Sequence, residues 1–201
     1  MSLQDSDGSD GRFSSYVESL ARVIGHADRV NPLRDYCTGL MMPCARKSVE
    51  PMAARTAPAR TAAQHQSLLP GVATWSDEKV LAKVREMVLP AMTKDGPIEA
   101  WIIDDTSFPK RGKHSVGVHH QYCGQLGKQA NCQVTVSLSI ANHCASLPVA
   151  YRLYLPKDWT KDRPRRKKAG VPSKIGFKTK PEIALDRYDG PAKPACPAGS
   201  H

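Results

Sequence analysis

Between Cys132 and Ile140 the chain alternates without a break. Cys132, Val134, Val136, Leu138 and Ile140 are apolar, while Gln133, Thr135, Ser137 and Ser139 are polar. A period of two puts the apolar side chains on one face of a strand and the polar ones on the other. Such a strand is stable only with partners along its edges and a cover over its apolar face, so the rest of the chain has to supply both. Edge partners are legible in the flanking sequence. Leu147, Val149, Tyr151, Leu153 and Leu155 repeat the alternation, Ile98 to Ile103 form a largely apolar run, and a further strand is expected around Ser115 to Tyr122, with Cys123 to Lys128 turning the chain back. The expectation is a sheet of three or four mostly antiparallel strands.

Upstream the period is helical. Phe13, Tyr16, Val17, Leu20, Val23 and Ile24 fall on one face, and Gly25 is a plausible stop. A second helix is expected after Asn31-Pro32, burying Leu33, Tyr36 and Leu40. Residues 48–68 read as helices broken near Pro58. Ser76-Asp77-Glu78 opens another, with Val80, Leu81, Val84, Met87 and Val88 on one face, and Pro90 bends or ends it. Residues 1–11, acidic and glycine-bearing, are expected to be disordered. The fold class expected is therefore α+β, with a helical region over 12–96 followed by strands.

Charge narrows the partners. The net charge is +10, and most of the excess lies between Lys157 and Lys180, where ten Lys or Arg face two Asp for a local charge of +8. Within it, Lys157, Lys161, Arg163, Arg165, Arg166, Lys167 and Lys168 are candidate phosphate ligands, and Trp159 is a candidate platform for an unpaired base. The competing reading is a solvated charged loop with Trp159 tucked against the sheet. Asp5, Asp7 and Asp10 precede the first arginine, the reverse of a signal peptide, and no apolar run approaches a membrane span, so a soluble intracellular protein with no membrane partner is expected. Six cysteines form no C-x-x-C pair, and with His119, His120 and His143 they lack the short chelate spacing of a zinc site. Cys132, on the apolar face of its strand, reads as a small core residue.

The run Trp101-Ile102-Ile103-Asp104-Asp105-Thr106 reads as a buried strand that ends in two carboxylates, followed by the basic turn Lys110-Arg111-Gly112. A carboxylate there has to meet water, a cation or a metal. Strand alternation lets only one of the pair face a given neighbour. One is expected to be a ligand for a hard divalent cation and the other a turn or capping residue; alternatively Asp105-Thr106 simply ends the strand.

Several motifs in fixed order carry a resemblance. D-D-T-S-F-P-K-R-G at 104–112, S-V-G-V-H-H-Q-Y-C-G-Q-L-G-K at 115–128, N-C-Q-V at 131–134, R-L-Y-L-P-K-D-W-T-K-D-R-P-R-R at 152–166, A-G-V-P at 169–172 and F-K-T-K-P at 177–181 resemble the DDE-type transposases of bacterial insertion sequences, in particular the insertion sequence 701 family. The resemblance covers roughly residues 12–186. It implies an RNase H-like catalytic domain in which three carboxylates hold two Mg²⁺ (or Mn²⁺) ions, about 3.5–4 Å apart, for in-line attack at phosphorus. It implies Asp104 as the first catalytic and metal-holding carboxylate, with Asp105 the second choice and Lys110 and Arg111 as supporting cations. It further implies DNA terminal repeats as the partner, the helical region as a possible DNA-binding part, and a place at the bacterial nucleoid.

The resemblance also has a gap. After Asp186 the sequence R-Y-D-G-P-A-K-P-A-C-P-A-G-S-H has no strand pattern to carry the second Asp and no helix for the Glu. Residues 97–186 are therefore expected to be a truncated catalytic domain, incomplete at its sheet edge, with 187–201 a non-family tail. DNA binding with little or no cleavage follows, as does self-association or association with full-length transposase. The alternatives are a non-catalytic regulator of transposition and a generic basic nucleic-acid-binding protein.

Overall fold

Helical periodicity in the first half and strand alternation in the second produce an α+β architecture. The computed structural model describes residues 3–43, 49–60 and 75–188. The chain divides into two compact units, Met1–Met87 and Val88–His201. The division falls inside a helix.

In the first unit, α1 (Leu3–Ile24) contributes Val17, Leu20, Ala21 and Ile24 to a core that also holds Leu33 of α2 (Val30–Met41). Phe13, Tyr16, Cys37, Trp75, Val80, Val84 and Met87 pack around it. The helix begins at Leu3, so most of the stretch predicted to be disordered is helical; acidic residues are favoured near a helix N-terminus. Gly25, at φ +81°, ends α1 and donates to the Ala21 carbonyl at 3.1 Å. The expected burial of Leu40 is not met, since it is 45% exposed and Gly39 is buried instead. A Cβ at Gly39 would lie 2.9 Å from the Met52 Cβ of α3 (Val49–Thr56), so this glycine is where the two helices touch. A 3₁₀ turn at Pro58–Arg60 follows, in line with the break near Pro58; the rest of the stretch to 68 lies outside the described residues. Helix α4 (Asp77–Lys94) runs through Pro90 rather than ending there.

The second unit is built on β3 (Lys128–Ala141), whose alternating face is buried from Cys132 to Ile140. Cys132 pairs with Pro109 of β1 (Ala100–Pro109) and with His119 of β2 (His119–Cys123), so those strands occupy opposite edges of β3. Residues Thr135–Ala141 pair with both β1 and β4 (Ser146–Leu153), so β4 shares the edge of β2. All pairings are antiparallel. Helices α5 (Lys157–Lys161) and α6 (Arg163–Lys168) follow β4, and α7 (Lys180–Tyr188) covers the apolar face, with Ile183 and Ala184 against Val136. Asn142 fixes the β3–β4 turn, accepting from the amides of Cys144 and Ala145 and donating to the carbonyls of Met92 and Gly96.

Two expectations for β1 are corrected. The strand continues to Pro109, so Asp104 and Asp105 lie at its middle rather than at its end. It is also exposed rather than buried, with Ile102 at 43% and Ile103 at 53%, because nothing among the described residues pairs with its outer edge.

Candidate active site and nucleic-acid interface

The register of β1 on β3 separates the two acids. Asp105 stands opposite Val136, on the face that α7 covers, and Asp104 stands opposite Ser137, on the polar face. Asp105 Oδ2 accepts from Lys180 Nζ at 2.5 Å. Lys180 is delivered by a capping box. The Thr179 amide donates to Glu182 Oε2 at 2.7 Å, and the Glu182 amide approaches Thr179 Oγ1 at 3.4 Å. These reciprocal contacts start α7 at Lys180. A groove of about 710 Å³ lies between the strand and the helix, lined by Ile103, Asp104, Asp105, Val136, Lys180 and Leu185 among others. Asp104 is exposed, and its Oδ1 accepts from the Asp105 amide at 2.8 Å. Among the described residues it has no cationic partner, whereas Asp105 is neutralised.

The two acids of α7, Glu182 and Asp186, are committed elsewhere. The Thr179 hydroxyl and amide hold the Glu182 carboxyl below its ordinary range. Asp186 is likewise depressed, first by the hydrogen bond from Lys178 and then by the nearby charges of Lys178 and Arg152. No three His, Cys, Asp or Glu among the described residues gather as a metal site. A hard divalent ion takes about six oxygen ligands in near-octahedral order. Asp104 offers one carboxylate, and Asp105 is occupied by Lys180. The described residues therefore do not form the donor set that a resident metal pair requires.

The basic segment separates into two kinds of residue. Trp159 is fully buried against Val118 and Leu155, and its Nε1 donates to the Val118 carbonyl at 2.8 Å. The expected stacking role is corrected on that ground, since no base can reach the ring. Arg165 lies over the Trp159 ring, 3.8 Å from its centroid, and donates to the Lys113 carbonyl at 2.7 Å. Arg166 donates to the carbonyls of Thr160, Pro172, Ser173 and Ile175, at 2.7–3.3 Å. Both arginines thus spend their donors inside the fold. Lys157 stands over the Phe177 ring at 5.0 Å. Lys161, Arg163, Lys167 and Lys168 are exposed, as are Lys110 and Arg111 beyond the end of β1. Lys180 was hidden from the sequence because its partner lies 75 residues away.

Cys132 and Cys123 are both fully buried in one cluster with Val134. Burial, and then the adjacent Cys123, push the Cys132 thiol up from its ordinary value. The expected core role of Cys132 agrees with this packing.

A family model described as DDE superfamily endonuclease matches residues 19–197. The chain is also similar to a probable transposase for insertion sequence element IS701 from Microchaete diplosiphon. The two are 33% identical over 110 residues, covering 55% of this chain and 26% of that protein. The chain thus spans about a quarter of the relative it matches. No solved structure matches it.

Proposed function

The chain belongs to the DDE superfamily endonucleases, and on that premise we propose that it binds DNA through its basic segment and does not, by itself, cleave it. The sheet then reads as the opening of an RNase H-like domain, and the parental activity as divalent-metal-dependent DNA cleavage and strand transfer at insertion-sequence ends. Asp104 is the carboxylate we assign to that chemistry. The observation that carries the reading is its position, exposed on the polar face of β1 at the rim of the groove with no cation on it, while every other acid of the groove and its helix is engaged. One free carboxylate can orient a hydrated ion but cannot hold two. The ions proposed for the family's reaction, Mg²⁺ or Mn²⁺, therefore need donors beyond those described. DNA at the bacterial nucleoid is the proposed place of action.

The test is a paired binding and nicking assay on insertion-sequence terminal-repeat DNA, with Mg²⁺ or Mn²⁺ present. The expected result is a shifted complex with intact strands. Cleavage abolished by Asp104→Ala would overturn the inactivity while supporting the role of Asp104.

A second reading, a non-catalytic regulator that joins full-length transposase, is favoured by the outer edge of β1. Its backbone groups have no strand partner among the described residues, and Ile102 and Ile103 are exposed beside them. Co-expression with an intact transposase is expected to lower transposition frequency on this reading and to leave it unchanged otherwise.

A further inference from the structure

We propose that Lys110, Arg111 and Lys113 of the β1–β2 connection and Arg163, Lys167 and Lys168 of α6 form one surface for the phosphate backbone of duplex DNA, held in register by Arg165. The inference rests on the DNA-binding reading above and deepens it, by separating the cations that meet phosphate from those that only position them. Arg165 joins two segments that are 52 residues apart in sequence, through its bond to the Lys113 carbonyl. Its guanidinium rests on the Trp159 ring, and that ring is itself fixed by the bond to the Val118 carbonyl. The β1–β2 connection is held from its other side by β3. Asn131 Nδ2 donates to the carbonyls of Lys110 and Gly112 at 2.7 and 2.9 Å, and the Lys110 amide donates to the Asn131 carbonyl at 2.9 Å. The backbone of the connection is therefore tied to α6 and to the sheet at once.

The six cations themselves are exposed, and none has a carboxylate partner among the described residues. Asp162, the acid nearest to α6, uses its carboxylate to accept from the Arg165 amide at 2.9 Å and so caps the helix. Unpaired Lys and Arg gathered on two adjoining segments release counterions from a polyanion without reading its sequence. Lys110 also lies six residues beyond Asp104, just past the end of β1, about 20 Å at the usual rise per residue. That is the length of about six base pairs, so a duplex lying along β1 would meet the surface and the groove together.

The experiment measures the salt dependence of binding to a 30-base-pair duplex by fluorescence anisotropy, for the whole chain. With six phosphate contacts, affinity should fall about 2,000-fold between 50 and 200 mM salt; with three removed it should fall only about 40-fold. The Lys110→Gln/Arg111→Gln/Lys113→Gln variant and the Arg163→Gln/Lys167→Gln/Lys168→Gln variant should each show the smaller dependence. Arg165→Gln should lower the log–log slope by more than the one contact its own charge can supply, and Arg165→Lys should not restore it, because lysine keeps the charge but loses the clamp. A β1–β2 variant with the wild-type slope overturns the joint surface while leaving DNA binding by α6 intact. Restoration by Arg165→Lys overturns the positioning role. A wild-type chain with no salt-dependent binding overturns both this inference and the reading beneath it.

Discussion

Replacing Trp159 with Phe separates a core residue from a base-stacking one, because phenylalanine keeps an aromatic face but has no indole N–H. Trp159 is fully buried, and its Nε1 is the group that satisfies the Val118 carbonyl. Losing that bond leaves a buried acceptor unpaired, at about 1–3 kcal/mol. The smaller ring leaves a void of roughly 40 Å³, which at about 24 cal/mol per Å³ adds about 1 kcal/mol. The expected loss is thus about 2–4 kcal/mol, a large share of the roughly 5–15 kcal/mol that holds a typical domain together. Trp159→Ala should lose about 3–5 kcal/mol from burial alone, and the cation–π contact with Arg165 besides. Urea unfolding followed by far-ultraviolet circular dichroism reads both. An unchanged midpoint for Trp159→Phe, together with weakened binding to single-stranded DNA, would refute the assignment of this ring to the core.

Gly117→Ala should destabilise by about 1–3 kcal/mol in the same assay, since φ is +75° there and a Cβ would stand 2.8 Å from the Tyr154 carbonyl oxygen. Asp105→Asn breaks the pair with Lys180, but both side chains are about 40% exposed; the loss should stay below about 1 kcal/mol and shrink in high salt, which denaturation at two ionic strengths checks. Asp186 has a folded pKa below its unfolded one, so its contribution is complete above the ordinary carboxylate value near about 3.9 and is lost as pH falls through the depressed value. Asp186→Asn should therefore lower stability at neutral pH and flatten the acid limb of a stability–pH profile below about pH 4.

The fold was most legible where one period ran unbroken. The alternation from Cys132 to Ile140 fixes the buried face of β3, and the helical stripe from Phe13 to Ile24 fixes the face of α1 that meets Leu33. Legibility failed where the outcome depends on what lies beside an element. Ile102 and Ile103 look like buried strand residues, and only the unpaired outer edge of β1 exposes them. Leu40 has the spacing of a core residue, yet the close approach of Met52 selects Gly39 for the contact. The candidate site shows the same division. Asp104 and Asp105 draw attention as adjacent carboxylates at the end of an apolar run, but the pairing of Asp105 with Lys180 depends on a capping box 75 residues downstream. A run of bases likewise cannot reveal which guanidinium will meet carbonyl oxygens. Arg165 and Arg166 look the same as Lys167 and Lys168 until the fold turns the arginines inward.

Among the described residues Asp104 stands without a cationic partner and with no second carboxylate free beside it in the groove, and titration of Mn²⁺ into the chain, followed by the paramagnetic resonance of the free ion, tests this most directly. With protein and metal both at ~100 µM, where octahedral all-oxygen sites with several carboxylates hold such ions well, the free-ion signal should equal that of buffer, and the same should hold for Asp104→Ala. Stoichiometric loss of the signal, restored by Asp104→Ala, would contradict it.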